Sequence, residues 1–161
     1  MQILIFTDGS SRGNPGPGGY GIIMRLEGTK YVKEFSEGFK KTTNNRMELL
    51  AVIVALEKVK KENSEVLIIS DSKYVIDSVE KKWVLNWEKK QFKGKKNADL
   101  WMRFLSVYRQ HRVKMQWVKG HNRNKENERC DFLAVQASKN KELKIDEGFV
   151  KSTFANVSHI D

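Results

Sequence analysis

The spacing of apolar residues changes near residue 43 and divides the chain into two differently patterned parts. Before it, three runs rich in β-branched and aromatic residues, at 3–7, 20–26 and 30–39, are separated by turn-forming residues. These runs predict strands joined as an antiparallel meander, the first of which ends in a turn at Asp8. After it, residues 46–62 favour a helix. This helix is apolar on almost every side from Met47 to Leu56, which is typical of a core helix.

In the rest of the chain, segments with the apolar spacing of strands alternate with segments that have the apolar spacing of helices. Strands are predicted at 66–70 and 113–119, and helices at 73–80, 98–110 and 127–138. A meander followed by alternating helices and strands predicts an α/β fold, with a five-stranded mixed sheet flanked by helices. Residues 139–161 lose the periodicity. They are expected to form a tail that is loosely docked or partly disordered, with Phe149 and Phe154 as candidate anchors.

Four acidic residues lie where a purely structural protein would not place them. Asp8 and Asp71 each follow an apolar strand, Glu48 is expected in the first turn of the core helix, and Asp131 adjoins the apolar stripe of the last helix. Taken singly, each has a simpler role as a turn, capping or solvent-facing residue. Taken together, several ionised carboxylates are costly to assemble unless cations neutralise them. An all-oxygen site of this kind suits Mg²⁺ or Mn²⁺.

Composition narrows the partners of such a site. The formal net charge of +10 favours a polyanionic partner, although surplus charge also simply keeps proteins in solution. One cysteine and three histidines exclude an intrachain disulfide framework and a zinc site of the CxxC type. The apolar runs are too short for a membrane span, and the first residues lack the pattern of a signal peptide. The expected location is the cytoplasm, with no membrane partner.

The positive charge is concentrated in one segment. Residues 81–96 contain seven lysines against a single acidic residue, Glu88, and three aromatic residues are interleaved with them: Trp83, Trp87 and Phe92. One interpretation is a solvated helix whose aromatic residues face the core. However, a solvated face normally alternates in sign, and this segment does not. It therefore contributes most of the surplus charge that favours a polyanionic partner.

Six strings resemble, in the same order, the motifs of the type 1 ribonucleases H. They are 6–10, 13–21, 42–49, 71–75, 117–121 and 127–131, and together they span about residues 3–138. The chain looks like a bacterial member of that family, and the resemblance implies a ribonuclease H-like fold. It also implies a catalytic domain over 1–138, with a basic protrusion at about 81–98, followed by the 139–161 tail.

The resemblance implies an activity and a site. The family hydrolyses the RNA strand of RNA–DNA hybrids, leaves 5′-phosphate and 3′-hydroxyl ends, and removes RNA primers and R-loops during replication. Its metal-binding carboxylates match Asp8, Glu48, Asp71 and Asp131, which implies two Mg²⁺ ions, with Mn²⁺ as a substitute. His121 matches a loop histidine that moves a proton or assists product release; on its own it would be interpreted as a surface histidine.

Substrate contacts are implied in the same way. Asn14, Asn44 and Asn45 match residues that contact sugars and base edges, where the 2′-hydroxyl distinguishes RNA from DNA. Thr43 matches a phosphate contact on the DNA strand, and it is equally suited to cap a helix. The protrusion, with Trp83, Lys89 and Lys90, is expected to hold the DNA strand through its phosphates.

Two other classes of protein remain to be weighed. A hybrid-binding module without catalysis would have lost at least one carboxylate, and none is lost. Integrases and junction resolvases of the same superfamily keep acidic clusters but lack the strings at 42–49 and 127–131.

Lys73 departs from the family, since a glutamine that contacts substrate is common there. A monomer is expected, because a hybrid must reach the groove from outside and no apolar repeat requires a partner.

Overall fold

The computed structural model describes residues 1–120 and 124–157, with backbone only for 155–157. Its strands are β1 (Ile3–Ser11), β2 (Gly16–Leu26), β3 (Val32–Thr42), β4 (Glu65–Ser70) and β5 (Arg112–Trp117). Its helices are α1 (Asn44–Glu57), α2 (Lys73–Glu80), α3 (Trp83–Lys89), α4 (Ala98–Tyr108), α5 (Lys125–Ser138) and α6 (Glu147–Val157). None of the helices among these residues combines the length and the apolar composition needed to cross a bilayer.

The strands form one mixed sheet in the order β3-β2-β1-β4-β5. The pairs β1–β2 and β2–β3 are antiparallel, whereas β1–β4 and β4–β5 are parallel. This arrangement confirms the predicted five-stranded mixed sheet, in which an antiparallel meander is followed by parallel strands.

Alternation along the three central strands divides the apolar residues between two cores, because successive side chains point to opposite faces. One face packs against α1, which is itself covered by α4, and this larger core explains why α1 is apolar on nearly all sides. The opposite face packs against α5 and forms a smaller core. The buried members of the smaller core are Phe6, Ile23, Ile69 and Cys130.

Three glycines let α5 lie almost directly on the sheet. A Cβ atom at Gly21 would lie 2.3 Å from the carbonyl oxygen of Cys130, and one at Gly19 would lie 2.6 Å from that of Ala134. A Cβ atom at Gly38, in β3, would lie 2.0 Å from the carbonyl oxygen of Ala137. The backbone of α5 therefore occupies the space that side chains would otherwise fill.

Among the boundaries that differ from the sequence-based expectations, two place acidic residues. The first strand does not end at Asp8: β1 continues to Ser11, because β2 remains paired with it from Asp8↔Gly21 to Ser11↔Gly18. Helix α1 begins earlier than predicted, since Thr43 caps it by accepting a hydrogen bond from the Arg46 amide. Glu48 consequently lies in the second turn rather than the first, where the helix dipole acts less strongly on it.

The tail, expected to be loosely docked or partly disordered, has regular structure and fixed contacts between residues 144 and 157. Lys144 pairs with the end of β3, where its amide donates to the Gly38 carbonyl and its carbonyl accepts from the Lys40 amide, at 2.9 and 2.8 Å. Residues 147–157 form α6. The anchor is the buried Asp146 rather than Phe154, which is 70% exposed. A charged residue is compatible with burial here because Arg46 pairs with it.

Candidate active site

Three carboxylates from distant parts of the chain converge beside the central strands. Asp8, Glu48 and Asp71 each offer an oxygen within 4.8 Å of the other two. Asp8 lies in β1, Glu48 in α1, and Asp71 immediately after β4. This placement brings together three of the four carboxylates that the sequence singled out.

The fold explains the convergence. Because β1 and β4 are parallel neighbours whose pairing runs to Phe6↔Ile69, Asp8 and Asp71 leave the paired region at the same edge of the sheet. Glu48 reaches them because α1 touches β1 at Gly9. A Cβ atom at Gly9 would lie 2.3 Å from the Glu48 amide nitrogen, so only glycine allows this approach.

The segment that carries Asp71 is held by its surroundings. The Trp117 indole Nε1–H donates to the Asp71 carbonyl at 3.1 Å, and the Ser72 amide donates to the Ser70 hydroxyl at 3.0 Å. Lys73, at the position where the family often has glutamine, lies with its Nζ 4.7 Å from the centre of the Trp117 ring. Lys73 therefore supports the tryptophan that fixes the Asp71 backbone.

Asp131 joins the site from α5. It lines a cavity of about 160 Å³ together with Asp8 and Asp71, and its proximity contributes to the raised pKa of Asp8. It is exposed and does not belong to the tight cluster of three. The close packing of α5 on Gly21, the residue paired with Asp8, is what carries Asp131 to this place.

Burial and mutual repulsion dominate the electrostatics of the site. Desolvation, followed by the charge of Asp71, raises the pKa of Asp8 to about 8. Desolvation, followed by the charge of Asp8, raises the pKa of Glu48 well above its ordinary value. Such shifts mark carboxylates that lack the positive charge they need.

The donor set fits a hard divalent cation. The Oε2 atom of Glu48 is buried and accepts no hydrogen bond from any residue that the structure describes. Carboxylate oxygens are the ligands that Mg²⁺ or Mn²⁺ prefers, and here three carboxylates converge, one of them with an oxygen that has no hydrogen-bond donor among the described residues. A cation there would satisfy the Glu48 oxygen and offset the repulsion among the carboxylates.

Sequence reasoning missed several residues that line the same cavity: Lys119, Asn124, Asn127 and Glu128. Both polar side-chain atoms of Asn127 are buried without a partner among the described residues. Its spacing of four from Asp131 places both residues on one face of α5, which is a signal that the sequence contained. His121 lies outside the described residues.

The asparagines expected to bind substrate surround the start of α1. The Asn14 side-chain oxygen accepts from the Asn44 amide at 3.1 Å, and the Asn44 side-chain oxygen accepts from the Ser11 amide at 2.7 Å. Asn14, Asn44 and Asn45 are all exposed. Thr43 is the cap of α1, so its hydroxyl oxygen is already used as an acceptor, while its proton remains available to donate.

The predicted protrusion corresponds to α3 and the loop that follows it. Trp83 is 42% exposed, and Lys89 and Lys90 are also exposed. Phe92 instead enters the larger core, and Trp87 contacts the buried Trp101 edge to face. Of the three interleaved aromatic residues, Trp83 is the one left at the surface.

Glu88, the acidic residue within the protrusion, does not neutralise the charge of its lysines. Both Glu88 carboxylate oxygens accept from the Arg109 guanidinium, at 2.8 and 2.5 Å. This bidentate pair leaves the lysines of the protrusion without a neutralising partner in the segment.

Cys130 is excluded as a nucleophile. It is fully buried, its Sγ lies 3.3 Å from the Phe6 carbonyl oxygen, and burial raises the pKa of its thiol. A thiol of this kind packs as a small apolar residue.

Comparison with known proteins gives consistent matches. The RNase H family model matches residues 1–139. Ribonuclease H from Escherichia coli strain K12 / DH10B is 50% identical over 153 residues, which is 92% of this chain and 96% of that protein. The Escherichia fergusonii ribonuclease H matches with the same identity and coverage.

Solved structures agree. LC9-RNase H1, described as a type 1 RNase H with the type 2 active-site motif, superposes with a TM-score of 0.76 at 31% identity, over 86% of this chain and 72% of that one. LC11-RNase H1 in complex with an RNA/DNA hybrid gives a TM-score of 0.67 at 25% identity, over 85% of this chain and 96% of that one.

Proposed function

Because the chain belongs to the ribonuclease H family, we propose that it hydrolyses the RNA strand of RNA–DNA hybrids and leaves 5′-phosphate and 3′-hydroxyl ends. The observation that carries the proposal is the cluster of Asp8, Glu48 and Asp71, in which burial and the charges of neighbouring carboxylates raise the pKa values of Asp8 and Glu48. A structural relative bound to an RNA/DNA hybrid supports the same substrate for this chain.

Divalent cations are part of the proposal. Asp8, Glu48, Asp71 and Asp131 would hold two Mg²⁺ ions, with Mn²⁺ able to take their place. When bound, these ions would lower the pKa of the attacking water and stabilise the charge on the leaving 3′ oxygen. His121, by resemblance, would move a proton or assist product release, because imidazole titrates near neutral pH.

The surrounding residues hold the hybrid in register with the carboxylates. The asparagine side chains at 14, 44 and 45 both donate and accept, which suits the sugar hydroxyls and base edges of the RNA strand. Thr43 and the protrusion residues Trp83, Lys89 and Lys90 would hold the DNA strand, chiefly by its phosphates. The carboxylates would then meet the RNA strand alone.

We extend the proposal to the setting of the reaction. A monomer is expected, because a hybrid must reach the groove from outside, and the nuclease unit is expected in residues 1–138. RNA primers and R-loops, the hybrids that replication leaves, are the expected substrates. They occur with the chromosome in the bacterial cytoplasm, which is the expected location.

The proposal is tested with one end-labelled RNA strand in three forms: paired with DNA, paired with RNA, and single. Each form is incubated with Mg²⁺, with EDTA, and with the Asp8→Asn variant in Mg²⁺. Cleavage is expected in the hybrid alone, and it should disappear on chelation and on substitution. Tight hybrid binding without cleavage in Mg²⁺ or Mn²⁺ would identify a binding module. A labelled duplex DNA is incubated in parallel, and its cleavage would identify a different nuclease of the superfamily.

The glycine contact beneath α5 gives a further prediction. Gly21→Ala should push α5 away from β2, because the new Cβ would lie 2.3 Å from the Cys130 carbonyl oxygen. The expected result is a loss of about 1–3 kcal/mol in the free energy of unfolding. Hybrid cleavage should fall with it, since Asp131 moves with α5. Denaturant unfolding and initial cleavage rates at a temperature where the variant stays folded measure the two effects.

Gly28→Ala is the matched control. Gly28 has a φ of +77°, so alanine there costs about 1 kcal/mol of stability, but nothing lies within 4 Å of the added Cβ. This turn is at the end of the sheet opposite Asp8, so cleavage by the folded variant should be unchanged. Equal losses of cleavage in the two variants would contradict the role given to α5.

A further inference from the structure

A cavity of about 860 Å³ lies beside the start of α1, outside the carboxylate site. One wall carries Asn14, Thr43 and Asn45, which the proposed function places against the hybrid, and a second wall carries the end of the protrusion with Lys96. The third wall is the C-terminal helix α6, with Lys151 among the lining residues. No motif in the sequence had connected α6 with substrate.

Helix α6 is fixed to the substrate-facing part of the molecule. Both Asp146 carboxylate oxygens accept from the Arg46 guanidinium, at 2.8 and 2.9 Å, and one also accepts from the Thr42 hydroxyl at 2.7 Å. The same carboxylate accepts from the Phe149 amide in the first turn of α6, at 3.2 Å. Arg46 follows Asn45 in α1, so the wall formed by α6 keeps a set position relative to Thr43 and Asn45.

The chemistry of the cavity suits a chain of phosphates. Its acidic lining residue, Asp99, is already bound by Arg46 through two hydrogen bonds of 2.9 and 2.8 Å. Lys96 and Lys151 form no ion pair with any residue in the described ranges. The cavity therefore presents unneutralised ammonium groups on two walls and amide groups on a third.

Among the α6 side chains in the cavity, the lysine is the one suited to bind an anion. The Ser152 and Thr153 hydroxyls both donate to the Phe149 carbonyl, at 2.7 and 3.1 Å, so their protons are already used. Lys151 is exposed and keeps three N–H donors and a full positive charge.

We propose that α6 forms a third wall of the nucleic-acid-binding surface and that Lys151 contacts the phosphate backbone of the DNA strand. This inference rests on the proposed function, which places that strand against Thr43 and the protrusion. Lys151 acts in binding and does not touch the reacting phosphate. Its contribution is electrostatic, so it is expected to weaken as salt increases.

The test compares Lys151→Ala with Lys30→Ala, both in an Asp8→Asn background so that the hybrid is bound without being cut. Lys30 is an equally exposed lysine in the β2–β3 turn, at the opposite end of the sheet. Fluorescence anisotropy with a labelled hybrid gives Kd at several salt concentrations. Lys151→Ala is expected to raise Kd about three- to tenfold near 0.1 M salt and to lower the slope of log Kd against log salt by about one. Lys30→Ala should leave both nearly unchanged.

Two further measurements make the inference specific. With Asp8 intact, Lys151→Ala should raise KM and leave kcat unchanged, because a contact made equally in the ground and transition states is lost. Methylphosphonates, which remove phosphate charge, should abolish the effect of Lys151→Ala when placed in the DNA strand but not when placed in the RNA strand.

Several outcomes would overturn the inference. These are an unchanged Kd and salt slope for Lys151→Ala, an effect that Lys30→Ala reproduces, or coupling to the RNA strand. Binding of inorganic phosphate at Lys151 by NMR, without any effect of Lys151→Ala on hybrid affinity, would identify a small-anion site instead. If the unsubstituted protein cleaves hybrids and Lys151→Ala has the same Kd and KM, only this inference fails. If the unsubstituted protein does not cleave hybrids, the proposed function fails.

Discussion

Asp8→Asn is expected to reduce hybrid cleavage at least about a thousandfold and, without divalent cations, to make the protein more stable. A thousandfold loss corresponds to about 4 kcal/mol of transition-state stabilisation, in the range that bound metal ions supply. In metal-free buffer at pH 7, the same change should raise the free energy of unfolding by roughly 1–3 kcal/mol. Both results together would mean that this side chain serves activity at the expense of stability.

The gain in stability follows from the direction of the pKa shifts. Desolvation, then the charge of Asp71, raises the pKa of Asp8 to about 8 in the folded protein, from an ordinary value of 3.8. The folded state therefore holds a proton that the unfolded state releases between those values. Stability is fully present below about pH 4 and falls as pH rises towards 8. Asparagine carries no charge, so the variant avoids this loss and also relieves Glu48, whose pKa is raised in part by Asp8.

Chemical denaturation between pH 4 and pH 8, with and without Mg²⁺, measures these effects. The difference in stability between the variant and the unsubstituted protein should be small at pH 4 and grow with pH. Mg²⁺ at one hundred times its Kd should stabilise the unsubstituted protein by about 2.7 kcal/mol and the variant by much less. Asp77→Asn, at a surface carboxylate paired with Lys81, is the control and should stay within about 0.5 kcal/mol. A pH-independent gain would contradict the repulsion assigned to the cluster.

Arg46→Ala is expected to cost about 3–5 kcal/mol of stability, because it leaves the buried carboxylate of Asp146 without its partner. Arg46 is 3% exposed and Asp146 is 8% exposed. The guanidinium also holds Asp99, so one side chain joins α1, α4 and α6. Loss of the pair should release α6, and with it the wall that carries Lys151.

A second arginine–carboxylate pair has the same bidentate geometry but is exposed. It therefore isolates the effect of burial on the stability that such a pair contributes. Arg103 donates to both carboxylate oxygens of Glu57, at 2.8 and 2.6 Å, but the two side chains are 46% and 37% exposed. Arg103→Ala should therefore cost no more than about 1 kcal/mol. Urea unfolding of both variants makes the comparison. Arg46→Lys, which keeps the charge but not the bidentate geometry, should fall between them. Equal losses in the free energy of unfolding for Arg46→Ala and Arg103→Ala would show that burial does not determine how much the Arg46–Asp146 pair stabilises the protein.

The local pattern of the chain was enough to predict most of the fold. The alternation Ile5-Phe6, Ile22-Ile23 and Ile68-Ile69 predicts strands with two apolar faces, and the structure gives each face its own core. The apolar helix after Thr43 is the core helix, and the stripe of small residues in α5 is the surface that packs on β2 and β3. These features can be predicted from sequence because the spacing of side chains that share one face of a helix or strand is a local property of the chain.

The sequence by itself singled out the candidate metal-binding side chains, Asp8, Glu48, Asp71 and Asp131, from their positions after, within or beside apolar segments. Only the tertiary structure decided how they meet, with Asp131 reaching Asp8 from outside the tight cluster. It also decided that Phe92 enters the core and that Asp146 binds Arg46, one hundred residues away. Such contacts leave no local period in the sequence, because they depend on where packing brings separate elements together.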